Sequence, residues 1–305
     1  MSTSDKLLSV LGLFTVETPE WTVEAAAKHL GLGVSTTYRF FRSLSEAGLI
    51  VAFAAGRYVL GPAIVQLDRQ TRLLDPLIRT ARPVMQRLVS RIDVPGVLLL
   101  CRLYRDQVMC VHQEHSGDPD RAVSYERGRP MPLHRGAASK AILAHMPARF
   151  VRAFHRDHAK EMEAASLGRD WDEVKQHLRR LRTAGVTVTH AELDPGVTGI
   201  AVPLFGPDGS VVGSLGFVLP DPDGKSRAAS GLSGLLRSAG QEIGAGLEAL
   251  ATDRAVAGEE AAAIHDRARL LGTGPSGARR WPGRLDTDEH RGASTEPRRR
   301  AAGRR

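Results

Sequence analysis

The segment from Thr22 to Gly48 constrains the fold most, because it has the pattern of two short helices joined by a tight turn. Thr22 is a typical helix N-cap, and Gly31 is suited to turn the chain into a second helix over 34–47. Apolar residues of this second helix recur at three- and four-residue steps and predict a buried stripe of Phe40, Phe41, Leu44 and Ala47. Gly48 is expected to end the helix. This pattern predicts a helix-turn-helix.

The residues on both sides of this segment extend the motif. Residues 4–16 carry apolar side chains at helical spacing after a predicted cap at Ser4 or Asp5, and should form a first helix. After Gly48, the stretch LIVAFAAGRYVLGP has two short β-rich runs around a turn at 54–56, which predicts a hairpin. Three helices followed by a hairpin wing predict a winged helix-turn-helix.

The other face of the 34–47 helix is polar. Ser35, Arg39 and Arg42 stand at i, i+4 and i+7, so they share one face. Thr36, Tyr38 and Ser43 lie beside them. By itself this face has two interpretations, a solvated surface or a binding surface.

The composition allows a globular protein of two domains. The chain has 305 residues, of which 42% are hydrophobic. No apolar run approaches the roughly 20 residues of a membrane span, and the N-terminus lacks a cleavage signal, so we expect a soluble, cytoplasmic protein. Cys101 and Cys110 fit reduced thiols, either facing each other across a hairpin or separately buried in the core.

The net charge of +8 is weak evidence for a nucleic-acid partner because of where it lies. Residues 251–305 hold 12 arginines against 8 acidic residues, which is half of the excess. This part is rich in Gly, Pro and Arg and is predicted to be a disordered tail.

The second half changes from helical to β-rich patterns. Pro76 divides a helical stretch that runs from Pro62 to about residue 92. Strand-like VLLLCRLY and VMCVHQEH follow, with a possible further strand over 122–126 and a helix in RGAASKAILAHM. A helix over 171–184, three strands with GPDG between the last two, and a final helix over about 231–250 complete the pattern.

These patterns predict an α+β fold in four parts. An antiparallel sheet with flanking helices is a usual design for a small-molecule sensor. The expected parts are a winged helix-turn-helix domain (1–62), a linker helix (63–80), a sensor domain (81–251) and a disordered tail (252–305).

Four segments in this order resemble the IclR family of bacterial transcriptional regulators. They are HLGLGVSTTYRFFRSLSEAGL, GRYVLGP, PLHRGAASKAILA and GVTVTHAELDPGVTGIAVPLFGPDGSVVGSLGFV. The resemblance implies a homodimer or homotetramer whose winged helices bind double-stranded operator DNA. It also implies a GAF-like C-terminal domain that binds a small-molecule effector and modulates repression. The alternative is a DNA-binding protein whose second domain only dimerises.

By this resemblance the polar helix face enters the major groove. Ser35, Thr36 and Arg39 match the family's Ser-Thr-x-x-Arg. Arginine can bond guanine bidentately, and hydroxyls can reach phosphates or base edges. The full expected set is Ser35, Thr36, Tyr38, Arg39, Arg42 and, at the wing, Arg57. Many members carry Pro-Lys or Pro-Arg before the Ser, whereas this chain has Gly33-Val34, which removes one phosphate contact.

The resemblance also implies the lining of an effector pocket. The corresponding positions hold Ala137, Ala138, Thr189, Gly199, Gly216 and Val218. A cysteine and two serines found in relatives that bind small carboxylates are absent, while backbone N–H groups at 137 and 138 remain for an anionic or carbonyl oxygen. We therefore expect a larger or less polar effector, aromatic or largely apolar with one acidic or carbonyl end. The alternative is that these are repacked core positions.

No motif predicts catalysis, a cofactor or a metal site. His112 and His115 lack the i, i+4 spacing of a helical zinc pair, and on a strand they point to opposite faces. His190, Glu192 and Asp194 alternate before Pro195 and form either a metal-binding trio or, as we expect, a solvated loop. The chain is not expected to be an enzyme.

Overall fold

The fold is α+β, as predicted, in a computed structural model that describes residues 2–54, 56–117, 124–222 and 228–270. Contacts divide the chain into two compact units, Met1–Arg254 and Ala255–Arg305. Among the helices of the described residues, none has the length and apolar character needed to span a bilayer.

The N-terminal part has the predicted winged helix-turn-helix elements. They are α1 (Thr3–Leu11), β1 (Trp21–Thr22), α2 (Val23–Leu30), α3 (Val34–Glu46), β2 (Ile50–Ala54) and β3 (Arg57–Leu60). The strands form a small sheet in the order β1-β3-β2. Thr22 caps α2 through its side chain, and Gly31 ends α2 in the left-handed conformation, with φ of 65°. Both local predictions are confirmed.

Two details of this part differ from the prediction. The cap of α1 is Ser2, not Ser4 or Asp5, and Asp5 completes a reciprocal capping box with it. Ala47 is exposed and is not part of the buried stripe of α3. Thr37 is buried instead, because its hydroxyl donates to the carbonyl of Gly33, at 3.1 Å, and so satisfies its polar group.

Two helices follow, α4 (Pro62–Leu74) and α5 (Pro76–Val89), and the break at Pro76 is where the sequence predicts it. Asp75 between them caps α5 by accepting a hydrogen bond from the Ile78 N–H. It also pairs with Arg102 on the first long strand, at 2.5 Å. One short link therefore positions both helices against the C-terminal sheet.

The C-terminal sheet has six antiparallel strands in the order β6-β5-β4-β9-β8-β7. They are β4 (Gly96–Tyr104), β5 (Gln107–Ser116), β6 (Pro130–Pro132), β7 (Thr187–His190), β8 (Val197–Phe205) and β9 (Val211–Pro220). Cys101 and Cys110 lie opposite each other on β4 and β5, both buried and both free thiols. Residues 124–126 form no strand, and 122–123 lie outside the described residues.

Helices cover both faces of this sheet, so alternate residues of each strand enter two different cores. One core packs under α6 (Ala137–Leu143), α7 (Ala148–Asp157), α8 (Ala159–Ala164) and α9 (Trp171–Ala184). The other packs under α5 and the start of α10 (Ala228–Leu270). Leu99 faces the first core and Leu98 the second.

The last helix is longer than predicted. It was expected to end near Leu250, but α10 continues to Leu270. Residues 251–270 contain seven alanines, three arginines, two glutamates and no proline, so their helix propensity favours continuation of the helix. The remainder of the predicted tail, 271–305, lies outside the described residues.

Candidate DNA-binding and effector-binding sites

The polar face of α3 is open to solvent over its whole length. Ser35, Arg39 and Arg42 are exposed, Thr36 is half-buried and Tyr38 is 57% exposed. The opposite face is anchored in the small core by the buried aromatic rings of the stripe. The structure thus brings the five α3 residues together on one rigid, outward-facing surface.

The three arginines of the predicted DNA-binding set have different partners. Arg42 pairs with Glu46 one turn along the helix, at 2.8 Å. Arg57 on β3 pairs with Glu20 in the segment before β1, at 3.1 Å. Arg39 makes no ion pair or side-chain hydrogen bond within the part of the chain that the structure describes. Both pairs are well exposed, so either guanidinium can exchange its carboxylate for a phosphate at small cost.

The N-terminus of α3 is uncapped. Gly33 occupies the N-cap position and offers no side-chain acceptor, in contrast to Thr22 on α2. The first N–H groups of a helix carry partial positive charge when no side chain neutralises them. The end of α3 that bears Ser35 therefore favours an anion.

The six predicted effector residues line one narrow cavity in the C-terminal domain. Its volume is about 30 Å³. The strand register explains why distant sequence positions meet, because Thr189, Gly199 and Val218 are neighbours in one row across β7, β8 and β9. Gly216 follows in the next row of that face, opposite Leu99 of β4.

The two glycines make room for the first turn of α6. A Cβ on Gly199 would lie 3.3 Å from the Ala137 Cβ and 3.3 Å from the Thr189 Oγ1. A Cβ on Gly216 would lie 3.8 Å from the Ala138 Cβ. The contact at Gly199 would be tighter than usual and the contact at Gly216 would be ordinary, and side chains larger than alanine at either position would fill the remaining space.

The loop between β7 and β8 covers the cavity, and hydrogen bonds of the Glu192 side chain hold this loop in place. The Glu192 carboxylate accepts from the Gly136 N–H, at 2.8 Å, and from the ammonium of Lys140, at 2.5 Å. Lys140 is only 4% exposed and also donates to the Ala165 carbonyl, at 2.9 Å. A charge this deeply buried needs such a partner. The expectation that Glu192 belongs to a solvated loop is therefore wrong.

Two further polar groups at the cavity were absent from the predicted set. Asp194 accepts from the N–H of Ser124, at 2.9 Å, and pairs with its hydroxyl. The Tyr125 hydroxyl lies 2.7 Å from the Ser139 Oγ, and burial raises the pKa of this phenol above its usual value. Tyr125 lies outside the four segments that carry the resemblance, and Asp194 has no local pattern that marks it as a cavity residue.

Comparisons with known proteins agree with this architecture. Residues 3–52 match the IclR helix-turn-helix domain, and residues 74–245 match the bacterial transcriptional regulator IclR C-terminal domain. The HTH-type transcriptional regulator KipR of Bacillus subtilis is 25% identical over 205 residues, which cover 66% of this chain and 78% of KipR.

Solved structures share the fold. A crystal structure of an IclR regulator from Silicibacter sp. TM1040 has a TM-score of 0.66 and 22% identity, covering 81% of this chain and 96% of that one. An IclR homologue from Microbacterium hydrocarbonoxydans, crystallised with 4-hydroxybenzoate, has a TM-score of 0.63 and 21% identity, covering 81% and 100%. The two domain matches together cover the three helices of the helix-turn-helix part and the six-stranded sheet. This transcriptional regulator therefore belongs to the IclR family.

Proposed function

We propose that this regulator is a repressor that binds operator DNA through α3 and the wing, and that a small effector in the C-terminal cavity modulates this binding. It acts by binding and not as an enzyme. The observation that carries the proposal is the outward face of α3, on which Arg39 has no internal partner among the described residues while the opposite face is anchored. Such a helix can enter the major groove without giving up internal contacts.

The DNA-binding role is tested by Arg39→Ala. Losing a bidentate contact to guanine should weaken specific operator binding by roughly 1–3 kcal/mol, and because the residue is exposed, folding should be unchanged. Arg156→Ala is the matched control, since it removes the same charge from an exposed site on α7. Mobility shifts with operator and scrambled DNA measure both. Equal losses on the two DNAs would contradict a base-reading role.

The effector is proposed to be aromatic or largely apolar with one acidic or carbonyl end. The cavity wall carries the apolar side chains of Leu99, Leu193, Val197 and Val218 alongside the two glycines. A relative with the same fold was crystallised with an aromatic hydroxy acid. The N–H groups of Ala137 and Ala138, in the first turn of α6, are the donors proposed for the acidic end.

The small volume of the cavity bears on how such a ligand enters. A cavity of about 30 Å³ is far smaller than the roughly 300–1,000 Å³ typical of small-molecule sites, so an aromatic acid requires the β7–β8 loop to open. The same volume favours the second candidate, a C-terminal domain that only dimerises. The two differ in ligand-dependent stability, because a ligand bound only by the folded state raises the unfolding temperature.

Thermal unfolding with glyoxylate, pyruvate and a panel of aromatic acids distinguishes these candidates. We expect stabilisation by an aromatic acid and none by the two small oxo-acids. The double variant Gly216→Ser, Val218→Ser should lose the stabilisation by the aromatic acid, since unpaired hydroxyls against an apolar ligand cost about 1–3 kcal/mol. Tight binding of glyoxylate or pyruvate by the wild type would refute the apolar-ligand proposal. Absence of any stabiliser would favour the dimerisation-only domain.

Self-association is proposed through α4. No side chain of this helix is buried, and Leu67 and Leu74, which stand at i and i+7 on one face, are 50% and 62% exposed. A row of exposed aliphatic side chains on one helix is typical of a protein contact surface. Sedimentation equilibrium of the full chain should give the mass of a dimer or tetramer.

A further inference from the structure

A second, larger cavity lies between the helices α4 and α5 and the strand β5. Its volume is about 460 Å³. Its polar lining consists of Arg69 and Arg72 from α4, Arg82 from α5, His112 and Gln113 from β5, and Arg127 from the segment before β6. None of these residues lines the first cavity.

The lining carries a large positive charge that is only partly compensated. Asp68 pairs with Arg72, at 2.8 Å, and with Arg127. The hydrogen bond from Arg127 holds the pKa of Asp68 below its usual value, so this carboxylate is ionised at neutral pH. Four guanidinium groups lie against two carboxylates, Asp68 and the Glu114 that contacts His112, which leaves two positive charges (4 − 2).

The remaining groups do not cancel this excess. Arg69 and Arg82 have no ion pair within the described ranges of the chain. His112 is occupied by Glu114, its neighbour two residues along β5, at 3.0 Å. Guanidinium groups keep their protons in proteins, so the chain cannot relieve the repulsion by deprotonation. An anion in the cavity would relieve it.

The chemistry of the lining indicates the kind of anion. Guanidinium groups bind phosphate and carboxylate through two parallel hydrogen bonds. A volume of about 460 Å³ lies within the range of roughly 300–1,000 Å³ typical of small-molecule sites. The Arg127 guanidinium is fixed by two hydrogen bonds. Its Nε donates to the Val111 carbonyl, at 2.9 Å, and its Nη2 donates to the Asp68 carboxylate. One guanidinium is thus preorganised, and those of Arg69 and Arg82 are free to close on a ligand.

We propose that this cavity binds a small polyanion, a metabolite with two or more phosphate or carboxylate charges, through Arg69, Arg72, Arg82 and Arg127. The site is separate from the proposed effector cavity and does not depend on it. Its walls come from α4, which directly follows the wing, and from β5 of the C-terminal sheet. A bound polyanion therefore contacts both the helix that leaves the DNA-binding domain and the sheet of the sensor domain.

Calorimetric titration of the full chain tests the proposal at constant ionic strength. The probes are pyrophosphate for the phosphate class, citrate for the carboxylate class and acetate as a monovalent reference. At least one polyanion should bind, and acetate should not. Arg82→Gln should raise the Kd at least about tenfold, because it removes a charge-assisted hydrogen-bonding group.

Arg79→Gln is the matched control. Arg79 lies on the same helix, is exposed and does not line the cavity, so its substitution should leave the Kd unchanged. Equal unfolding midpoints of both variants exclude a folding defect. The proposal is overturned if neither polyanion binds or if both variants weaken binding equally. It is also overturned if Arg82→Gln weakens only operator DNA binding, which would make these arginines contacts to the DNA backbone.

Discussion

The buried pair of Lys140 and Glu192 allows a quantitative prediction, because its two ends are buried to different extents. Lys140 is 4% exposed and Glu192 is 24% exposed, with 2.5 Å between the charged atoms. Replacing Glu192 with Gln keeps the shape and leaves the ammonium without its counter-charge. Breaking a buried pair in this way costs about 3–5 kcal/mol. Since water reaches Glu192, we expect the lower end, about 3 kcal/mol.

The assay is thermal and urea unfolding followed by circular dichroism. At about 2–4 °C per kcal/mol for a domain of this size, Glu192→Gln should lower Tm by about 6–12 °C. Glu242→Gln is the matched control, since it removes the same charge from an exposed pair with Arg87 in the same domain. An exposed pair contributes about 0–1 kcal/mol, so this variant should shift Tm little.

A rescue variant separates the buried charge from simple packing. Lys140→Met in the Glu192→Gln background removes the unpaired ammonium and should recover part of the lost stability. Recovery is incomplete because the Ala165 carbonyl loses its donor. The reasoning is refuted if Glu192→Gln has the same Tm as the wild type, or if the double variant is less stable than Glu192→Gln alone.

Two further predictions concern local strain and pH. Gly136 and Gly128 have φ of 82° and 85°, so alanine should cost about 1–2 kcal/mol at either. At Gly136 the new Cβ would also lie within 2.8 Å of cavity side chains, whereas nothing lies within 4 Å at Gly128, so Gly136→Ala should lose about 1–3 kcal/mol more. Burial lowers the pKa of both His134 and His145 below 6.5, so the unfolded chain binds protons that the folded chain excludes. The free energy of unfolding should therefore be retained above about pH 6.5 and fall below it, as urea unfolding at several pH values would measure.

A specific experimental result would contradict each of these two predictions. Equal destabilisation by the two alanine variants would mean that the backbone conformation alone decides the cost and that the cavity wall yields freely. Stability that rises on acidification, or an acid slope unchanged by replacing both histidines with asparagine, would show that their burial does not control the pH response.

Local sequence patterns determined the DNA-binding half almost completely. The Thr22 cap, the Gly31 turn and the stripe of α3 each depend on residues three or four positions apart, so a helix builds them from its own neighbourhood. Local reasoning failed at the two ends of the stripe, where Ala47 at the C-cap is exposed and Thr37 is buried with its hydroxyl bonded to the Gly33 carbonyl.

Strand patterns and the family resemblance also identified positions that come together. Gly199 and Gly216 belong to two strands joined by the GPDG turn, and that hairpin register puts them on one face under α6. The resemblance supplied the positions. The free volume between them depends on how closely the helix approaches the sheet, which no local pattern specifies.

Tertiary structure alone decided the charged parts of both cavities. Glu192 reaches Lys140 across 52 residues, and Arg127 reaches Asp68 across 59. The local sequence around a charged loop residue is the same whether its charge is solvated by water or paired with a buried partner. The energy that distinguishes these outcomes comes from desolvation, and desolvation depends on which distant segments pack over the side chain.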